Sequence, residues 1–529
     1  MDFHFLPIET AWQRYLRLRF CWRWLVIPFF LICIWGWCDV RQRGYPHPED
    51  PLQHKTDFTV YTEAGAAFFD GRPPYEVTNP RGWTYLYPPM FALLVAPLHV
   101  LPSQDQVMIW FIVSLLLCWG CIYECAKTLR YLCDQDDHLA RHYTAWYPWL
   151  GLAAVFAAAL PTLNCLQRGQ VGILKFYLLA LGLRLVISGR TRWAHALGGI
   201  VLALPIVLKI LPLLPVSFLI FVQFVIWIKN LRSSRVRACT HAILVDNTAR
   251  ACKHAPYTES IDTVRQAAGS SLGLTSLGLI LGLLMFFLVV PSMLIGWNAN
   301  LHHLKTWSGF VLTKADDGGD DPRSGNSHST RNQSLQNAAY RLGNFVWRKA
   351  AGGPDDQLAD YFELPKTMFE RPEMIMDSLP ADMVLLGLRL AVLAVLCLVG
   401  IRLGLQGDAL SLATAFSLGC IAMLVVSPIA RVHYFMLFAP AILYLPLWLD
   451  RQNHARAAKF MAVVPIILID LHYIFLSYAG RVGLLGLGTT AWLLTAFVLV
   501  IRGNRKAAAP ALPESIPQNS FPPAIKQAA

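Results

Sequence analysis

Apolar residues run along this chain in long blocks separated mostly by short polar turns. Blocks near 20–38, 86–101, 106–126, 145–163, 169–187, 194–208, 210–228, 272–296, 382–404, 408–426, 433–449, 458–476 and 484–501 each approach the roughly 20 helical residues that a hydrocarbon core requires. Three longer polar segments, 39–85, 229–271 and 297–381, break the series. Within the first of them Phe58, Tyr61, Ala64, Phe68 and Phe69 recur at helical spacing, which predicts a short amphipathic helix on a membrane surface.

Composition strengthens that reading. Of 529 residues, 55% are hydrophobic and 15% charged, where a soluble globular chain carries about 25% charge. The pattern predicts an all-α polytopic membrane protein and excludes a secreted domain, a disordered chain and a cytosolic enzyme. The net charge of +12 then reports the Lys and Arg excess of cytoplasmic loops, and it carries no implication of nucleic acid. Most of the twelve cysteines lie in or beside apolar runs, where cysteine acts as a small hydrophobe. Cys118 and Cys121 form a CxxC with no second pair beside it, so neither metal nor disulfide chemistry is expected.

Arg14, Arg17 and Arg19, the basic segment 229–271, the Arg190/Arg192 and Arg451/Arg456 links and the tail start at Arg502 all belong inside by charge bias. The first run follows three arginines without a small-residue cleavage site and reads as an anchor helix. Loops 39–85 and 297–381 carry more acid than base and are placed outside. Two inside termini need an even number of crossings, so about twelve spans are expected. The proline-interrupted stretch 86–126 would then hold a short, re-entrant or broken element. Residues 1–502 are read as one membrane domain and the Ala- and Pro-rich 503–529 as a disordered tail.

This topology collects five polar clusters on the outer face: Asp57 to Tyr87, Asn164 to Gln170, the Lys209 turn, Asn332 to Arg341, and Ser427 to His433. Asp57 stands at the start of the predicted amphipathic helix, where it is either a helix cap or a carboxylate kept ionised to accept a proton. The surrounding aromatic residues read as an interfacial belt. Lys209 interrupts a nearly uncharged stretch, at a cost of about 2.5–3.5 kcal/mol on insertion scales for a mid-span lysine; it either snorkels or meets an anion. Asn332, Gln333 and Ser334 spell an N-glycosylation sequon. The acidic run Asp316, Asp317, Asp320 and Asp321 reads as a solvated linker, since it lacks the glycine and glutamate of a calcium loop.

The succession Asp57, Phe58, Tyr61, Gly71, Tyr75, Tyr85, Tyr87, Pro88, Pro89 and Pro97 resembles the first outer loop of glycosyltransferase family 87. Gly169 and Gln170, Lys209 with Pro212, Asn332 to Leu335 with Arg341, and Ser427, Pro428 and His433 resemble its later motifs. This chain departs from the family at Gly172, often Asn there, and at Tyr434, often a second His. The resemblance implies a GT-C-type fold and an inverting transfer of a hexose, mannose first, from a polyprenyl-phosphate donor to a lipid or glycan acceptor. It implies Asp57 as catalytic base. Lys209, His433, Arg341, Arg168 and Arg431 are expected on the donor phosphate, and Tyr61, Tyr85, Tyr87, Gln170, Asn332, Gln333 and Ser334 on the substrates. Neither cofactor nor metal is expected, because a lipid phosphate is a good leaving group that cations alone can stabilise. A multispan transporter or lipid-carrier flippase remains the alternative; it would want charges at mid-depth and internal repeats, and no repeat of the first six spans is evident in the last six.

Overall fold

Backbone groups in hydrocarbon have no water to bond, so a segment that crosses a membrane must satisfy them within itself as a helix. A computed structural model of the chain describes residues 27, 30–47, 49–50, 53–80, 82–189, 191–248, 259–309, 332–339, 379–475, 479–480 and 482–503. Over 137–138, 140–148, 233–248, 259–270 and 379–382 only the backbone is described. Within these residues every apolar run is helical. The helices are α1 (30–43, with a π turn at Gly36–Val40), α2 (Phe58–Asp70), α3 (Pro89–Val95), α4 (Ser103–Asp134), α5 (Asp137–Arg168), α6 (Gly172–Ser188), α7 (Arg192–Leu208) and α8 (Leu213–Thr248). There follow α9 (259–295), α10 (Trp297–Ser308), α11 (Leu379–Gln406), α12 (Ala409–Val426), α13 (Phe438–Arg451), α14 (Ala455–Ile474) and α15 (Leu484–Arg502).

Among the described residues nine helices are long and apolar enough to cross a membrane, against about twelve spans expected from the sequence. The difference has local causes. After the 39–85 loop the chain is α-helical only over Pro89–Val95 and then tightens to a 3-10 helix at Ala96–Val100. α6 and α7 have 17 residues each; α6 carries Lys175 and Arg184, and α7 is cut short by the extended backbone at Lys209. The described residues contain no strand ladder, only isolated bridges between Thr78 and Thr84 and between Asn332 and Arg431.

The interior centres on α12 and on the segment Val432–Arg451, the most enclosed of the long apolar stretches. α7 and α9 approach through glycine: a Cβ on Gly199 would run into the Thr275 carbonyl, and one on Gly278 into that of Ala196. Such small-residue contacts let helix backbones touch where lipid offers no hydrophobic drive for association. α9 exposes Leu277, Ile280, Leu281 and Leu284, an apolar surface suited to lipid. At one end of the bundle Arg451 reaches Asp408 at 3.0 Å and Asp136 at 3.6 Å, while Trp448 donates to Gln406 at 2.7 Å. α12 and the 432–451 segment both run between that end and the opposite one, where the polar clusters lie.

The amphipathic helix α2 ends at Gly71, whose left-handed φ of 70° lets the chain turn out of the helix. Its apolar face packs on protein. Phe58 stacks on Trp110 with centroids 5.0 Å apart, and Tyr61 lies 5.1 Å from Phe91 and 5.3 Å from Tyr87. Phe58, Tyr61, Phe68, Tyr75 and Tyr85 are buried, and only Phe69 of the α2 aromatics is exposed. The expected interfacial belt is therefore an aromatic core that fixes α2 against α3 and α4. Cys118 and Cys121 are free thiols within α4.

Candidate active site

Asp57 occupies the N-cap position of α2, yet its side chain makes no cap bond. Thr56 does that work: its Oγ1 accepts from the Phe58 N–H at 3.2 Å. The Asp57 backbone N–H donates to the Arg168 carbonyl at 2.8 Å, tying the start of α2 to the end of α5. Between Arg168 and Gln170 the chain turns at Gly169, with φ +64°; a Cβ there would stand 2.8 Å from both Phe58 Cβ and Thr56 Oγ1. Glycine is needed on both counts, for the left-handed backbone and for the close approach.

The carboxylate released from capping is held by a cation. Arg168 Nη2 donates to Asp57 Oδ1 at 3.4 Å, and both side chains are largely enclosed. The Arg168 guanidinium also lies 5.1 Å from the centre of the Trp83 ring. Trp83 reaches that position on the 78–84 turn, where Asn79 Oδ1 accepts from the Trp83 N–H and Asn79 Nδ2 donates to the Thr56 carbonyl, each at 3.1 Å. Burial pushes the Asp57 carboxyl above the usual carboxylate range, opposed by Arg168 and then by the Arg431 and Lys209 charges.

Lys209 follows the last residue of α7 in extended backbone. Its Nζ donates to the Tyr434 hydroxyl and lies 4.8 Å from the Tyr434 ring centre and 5.0 Å from that of Tyr87. Burial, with the nearby Arg431 charge, pushes the Lys209 ammonium down to about 7 against the pull of Asp57. Tyr87 and Tyr61 share a hydroxyl contact at 3.4 Å, which places the α2 aromatics under the lysine. His433 is buried, packs edge-on against Tyr434 at 4.5 Å, and has an Nε2 without a hydrogen-bond partner among the described residues.

The turn that carries Arg431 and His433 is built by two polar segments. Ser427 Oγ donates to the Ile429 carbonyl at 2.9 Å. Asn332 Oδ1 accepts from the Ala430 N–H at 2.9 Å, Asn332 Nδ2 and Ser334 Oγ donate to the Pro428 carbonyl at 3.0 and 2.9 Å, and Gln333 Nε2 donates to the Gly480 carbonyl. Asn332, Gln333 and Ser334 are all buried, so the sequon is an internal bracket and its Asn332 amide is turned away from solvent.

The structure thus brings Asp57, Arg168, Lys209, Arg431, His433, Tyr61 and Tyr87 together at one end of the bundle, with Gln170 buried in the adjoining turn. Tyr85 is fully buried and its hydroxyl serves the α3 start, donating to the Pro88 carbonyl and accepting from the Ala92 N–H. Arg168, expected on the donor phosphate, is ion-paired to Asp57. Arg341, the Asp316 to Asp321 run and the tail from 504 lie outside the described residues. The sequence reading missed Thr56, Trp83, Tyr434 as a site residue, and Lys175. The last is buried in α6 with its Nζ 4.7 Å from the Tyr434 ring centre.

A carboxylate, several cations and aromatic walls thus meet at one end of an apolar bundle. No curated protein and no solved structure matches the chain. The model of glycosyltransferase family 87 matches residues 85–267, a stretch that contains Tyr85, Tyr87, Arg168, Gln170 and Lys209 and stops short of Asp57 on one side and His433 on the other. The family indicates glycosyltransferase activity, and the apolar helices make the chain a multi-pass membrane protein. That match, over about a third of the chain, supports the resemblance to glycosyltransferase family 87 drawn from the motifs it contains.

Proposed function

We propose that the protein transfers a hexose, mannose first, from a polyprenyl-phosphate donor to a hydroxyl of a lipid or glycan acceptor, on the outer side of the cytoplasmic membrane. One observation carries the reading: the Asp57 carboxylate is excused from capping α2 and sits amid Arg168, Arg431 and Lys209. A base and phosphate-binding cations in one enclosed site are what an in-line displacement at an anomeric carbon requires.

In that reaction the acceptor oxygen attacks the anomeric carbon as the bond from that carbon to the phosphate oxygen breaks. The hydroxyl proton passes to Asp57, and polyprenyl phosphate leaves with the bonding pair. A base of this kind contributes about 10² to 10⁴ in rate, most when its pKa approaches the working pH; the upward push on Asp57 acts in that direction. Arg168 serves as the positioning residue for Asp57. Lys209, Arg431 and the unpartnered His433 Nε2 take the leaving phosphate, and Tyr61 and Tyr87 floor the sugar pocket. Attack from the face opposite the phosphate inverts the anomeric configuration.

The flippase alternative finds less support, since Asp57 and the cations around it gather at one end of the bundle. The deciding experiment incubates purified protein with a panel of polyprenyl-phosphate sugars and acceptors and measures release of polyprenyl phosphate. Sugar-dependent release supports transfer; movement of intact lipid-linked sugar across vesicles without release supports the flippase.

A further inference from the structure

Lys175 poses an energetic problem that the fold does not solve. It is the fourth residue of α6, where the helix dipole opposes a positive charge, and its residual exposure is 6%. A lysine near a helix end commonly escapes such a position by snorkelling to water, but this ammonium is directed inward to the ring of Tyr434 at 4.7 Å. The groups that act on its charge are Tyr434, Lys209 and Cys165; among the described residues no carboxylate pairs with it. A second lysine beside it, Lys209 on the same tyrosine, adds repulsion. Buried unpaired charge is among the most costly features a protein can keep, and one retained at a site points to a counter-ion that arrives with a ligand.

The surroundings of Lys175 specify that ligand. Lys175 and Tyr434 form the polar part of a narrow groove whose other walls include Phe176, Leu179, Met423, Met436 and Leu437. Gly172, one turn before Lys175, also lines it, and a Cβ there would close to 3.2 Å on Met436 Cε. A free phosphate would satisfy the lysine and leave the apolar walls wet. An anion joined directly to a branched hydrocarbon chain would satisfy both.

We infer that Lys175 is a second ligand of the donor phosphate, forming with Lys209 a two-lysine clamp about Tyr434, and that the apolar walls of the adjoining groove meet the first isoprene unit of the carrier. The inference rests on the donor reading above. It assigns Tyr434 a task of its own, since the two ammonium groups lie 4.7 and 4.8 Å from its ring centre.

Equilibrium binding to the full-length protein in nanodiscs tests it, with farnesyl phosphate, farnesol and inorganic phosphate as probes. Lys175→Met keeps length and apolarity and removes the charge. It should weaken farnesyl phosphate about tenfold or more, the loss expected for a charged hydrogen bond, leave farnesol binding unchanged, and not lower the melting temperature of the empty protein. Lys175→Arg should recover most of the affinity. Equal loss of farnesol and farnesyl phosphate, a lowered melting temperature, or wild-type affinity in Lys175→Met would overturn the clamp, and inorganic phosphate binding as tightly as farnesyl phosphate would overturn the groove. Lys209→Met separates the two levels of argument. If wild type binds farnesyl phosphate and Lys209→Met weakens it while Lys175→Met does not, only the present inference fails; if wild type does not bind it, the donor reading itself fails.

Discussion

Arg168 and Asp57, 111 residues apart in sequence, meet at 3.4 Å through one guanidinium hydrogen bond, and the same Arg168 supplies the carbonyl that holds the Asp57 backbone. The turn after α5 therefore fixes both the position and the charge environment of the proposed base. Because Thr56 takes the cap bond of α2, the Asp57 side chain is free of a structural duty that its position would otherwise impose.

Asp57→Asn separates chemistry from structure. The amide keeps the shape and removes the basic oxygen, so turnover should fall by about 10² or more while donor binding and melting temperature stay near wild type. Asp57→Ala loses no cap bond, whose removal costs about 1 kcal/mol, but it strips the enclosed Arg168 of its carboxylate, so a lower melting temperature is expected there. Near-normal turnover in Asp57→Asn, measured as product per enzyme, would remove Asp57 from the base role.

Gly169→Ala should damage the site from below. An L residue at φ +64° carries a strain of about 1–3 kcal/mol, and the added methyl would push on Phe58 and Thr56, displacing Asp57. Lower melting temperature and lower turnover are expected together, with farnesyl phosphate affinity reduced less than turnover. A variant that turns over like wild type would show that the 168–170 turn does not position the base.

The broad architecture was legible because each apolar run must be a helix in hydrocarbon, and the runs were long. Lys209 was legible for the same reason, as a charge that an apolar stretch does not tolerate without cause. The identical argument applies to Lys175, four residues into α6 and inside the apolar run 169–187. Tyr434 and Trp83 were not legible. Their roles depend on contacts with Lys209 and Arg168 that no local spacing encodes. Whether Asp57 or Thr56 caps α2 is likewise decided by side-chain direction, which both residue types leave open.

Two titrations should bracket activity. A base works only when deprotonated, and the Asp57 carboxyl is raised by burial, so turnover should be lost as pH falls through that raised value, above the ordinary carboxylate range. Lys209 binds an anion only when protonated and is pushed down to about 7, so donor affinity should be full below 7 and decline as pH rises through it. The groups that face Lys209 are Asp57, Arg431, Lys175, Tyr87 and Tyr434. Bound phosphate restores the ammonium, so the alkaline limb belongs to kcat/KM and not to kcat. Lys209→Arg should abolish that limb; its persistence would assign the titration to another group.

Orientation follows from the charge bias. Single cysteines at Thr78 and Ser324 in a cysteine-free background should react with an impermeant thiol reagent on intact cells, and one at Ser234 should not. Labelling of Ser234→Cys with protection of the other two would invert the proposed sidedness.

The donor should be lipid-linked, with no need of a nucleotide sugar or a divalent metal. Nucleotide-sugar enzymes commonly hold a diphosphate with Mg²⁺ or Mn²⁺ in a soluble α/β domain, and among the described residues no strand-helix alternation is found from which to build one. A monophosphate carries less charge. Lys209, Arg431 and Lys175 can neutralise it, and the apolar walls beside Lys175 suit a hydrocarbon better than a nucleotide. Transfer from polyprenyl-phosphate sugar should therefore proceed at full rate in the presence of chelator, and nucleotide sugar as sole donor in lipid-free conditions should give none. Transfer from the nucleotide sugar would refute the donor assignment. Strict dependence on added Mg²⁺ or Mn²⁺ would refute the metal clause alone, and would turn attention to Asp316, Asp317, Asp320 and Asp321 as the acidic groups able to hold a cation.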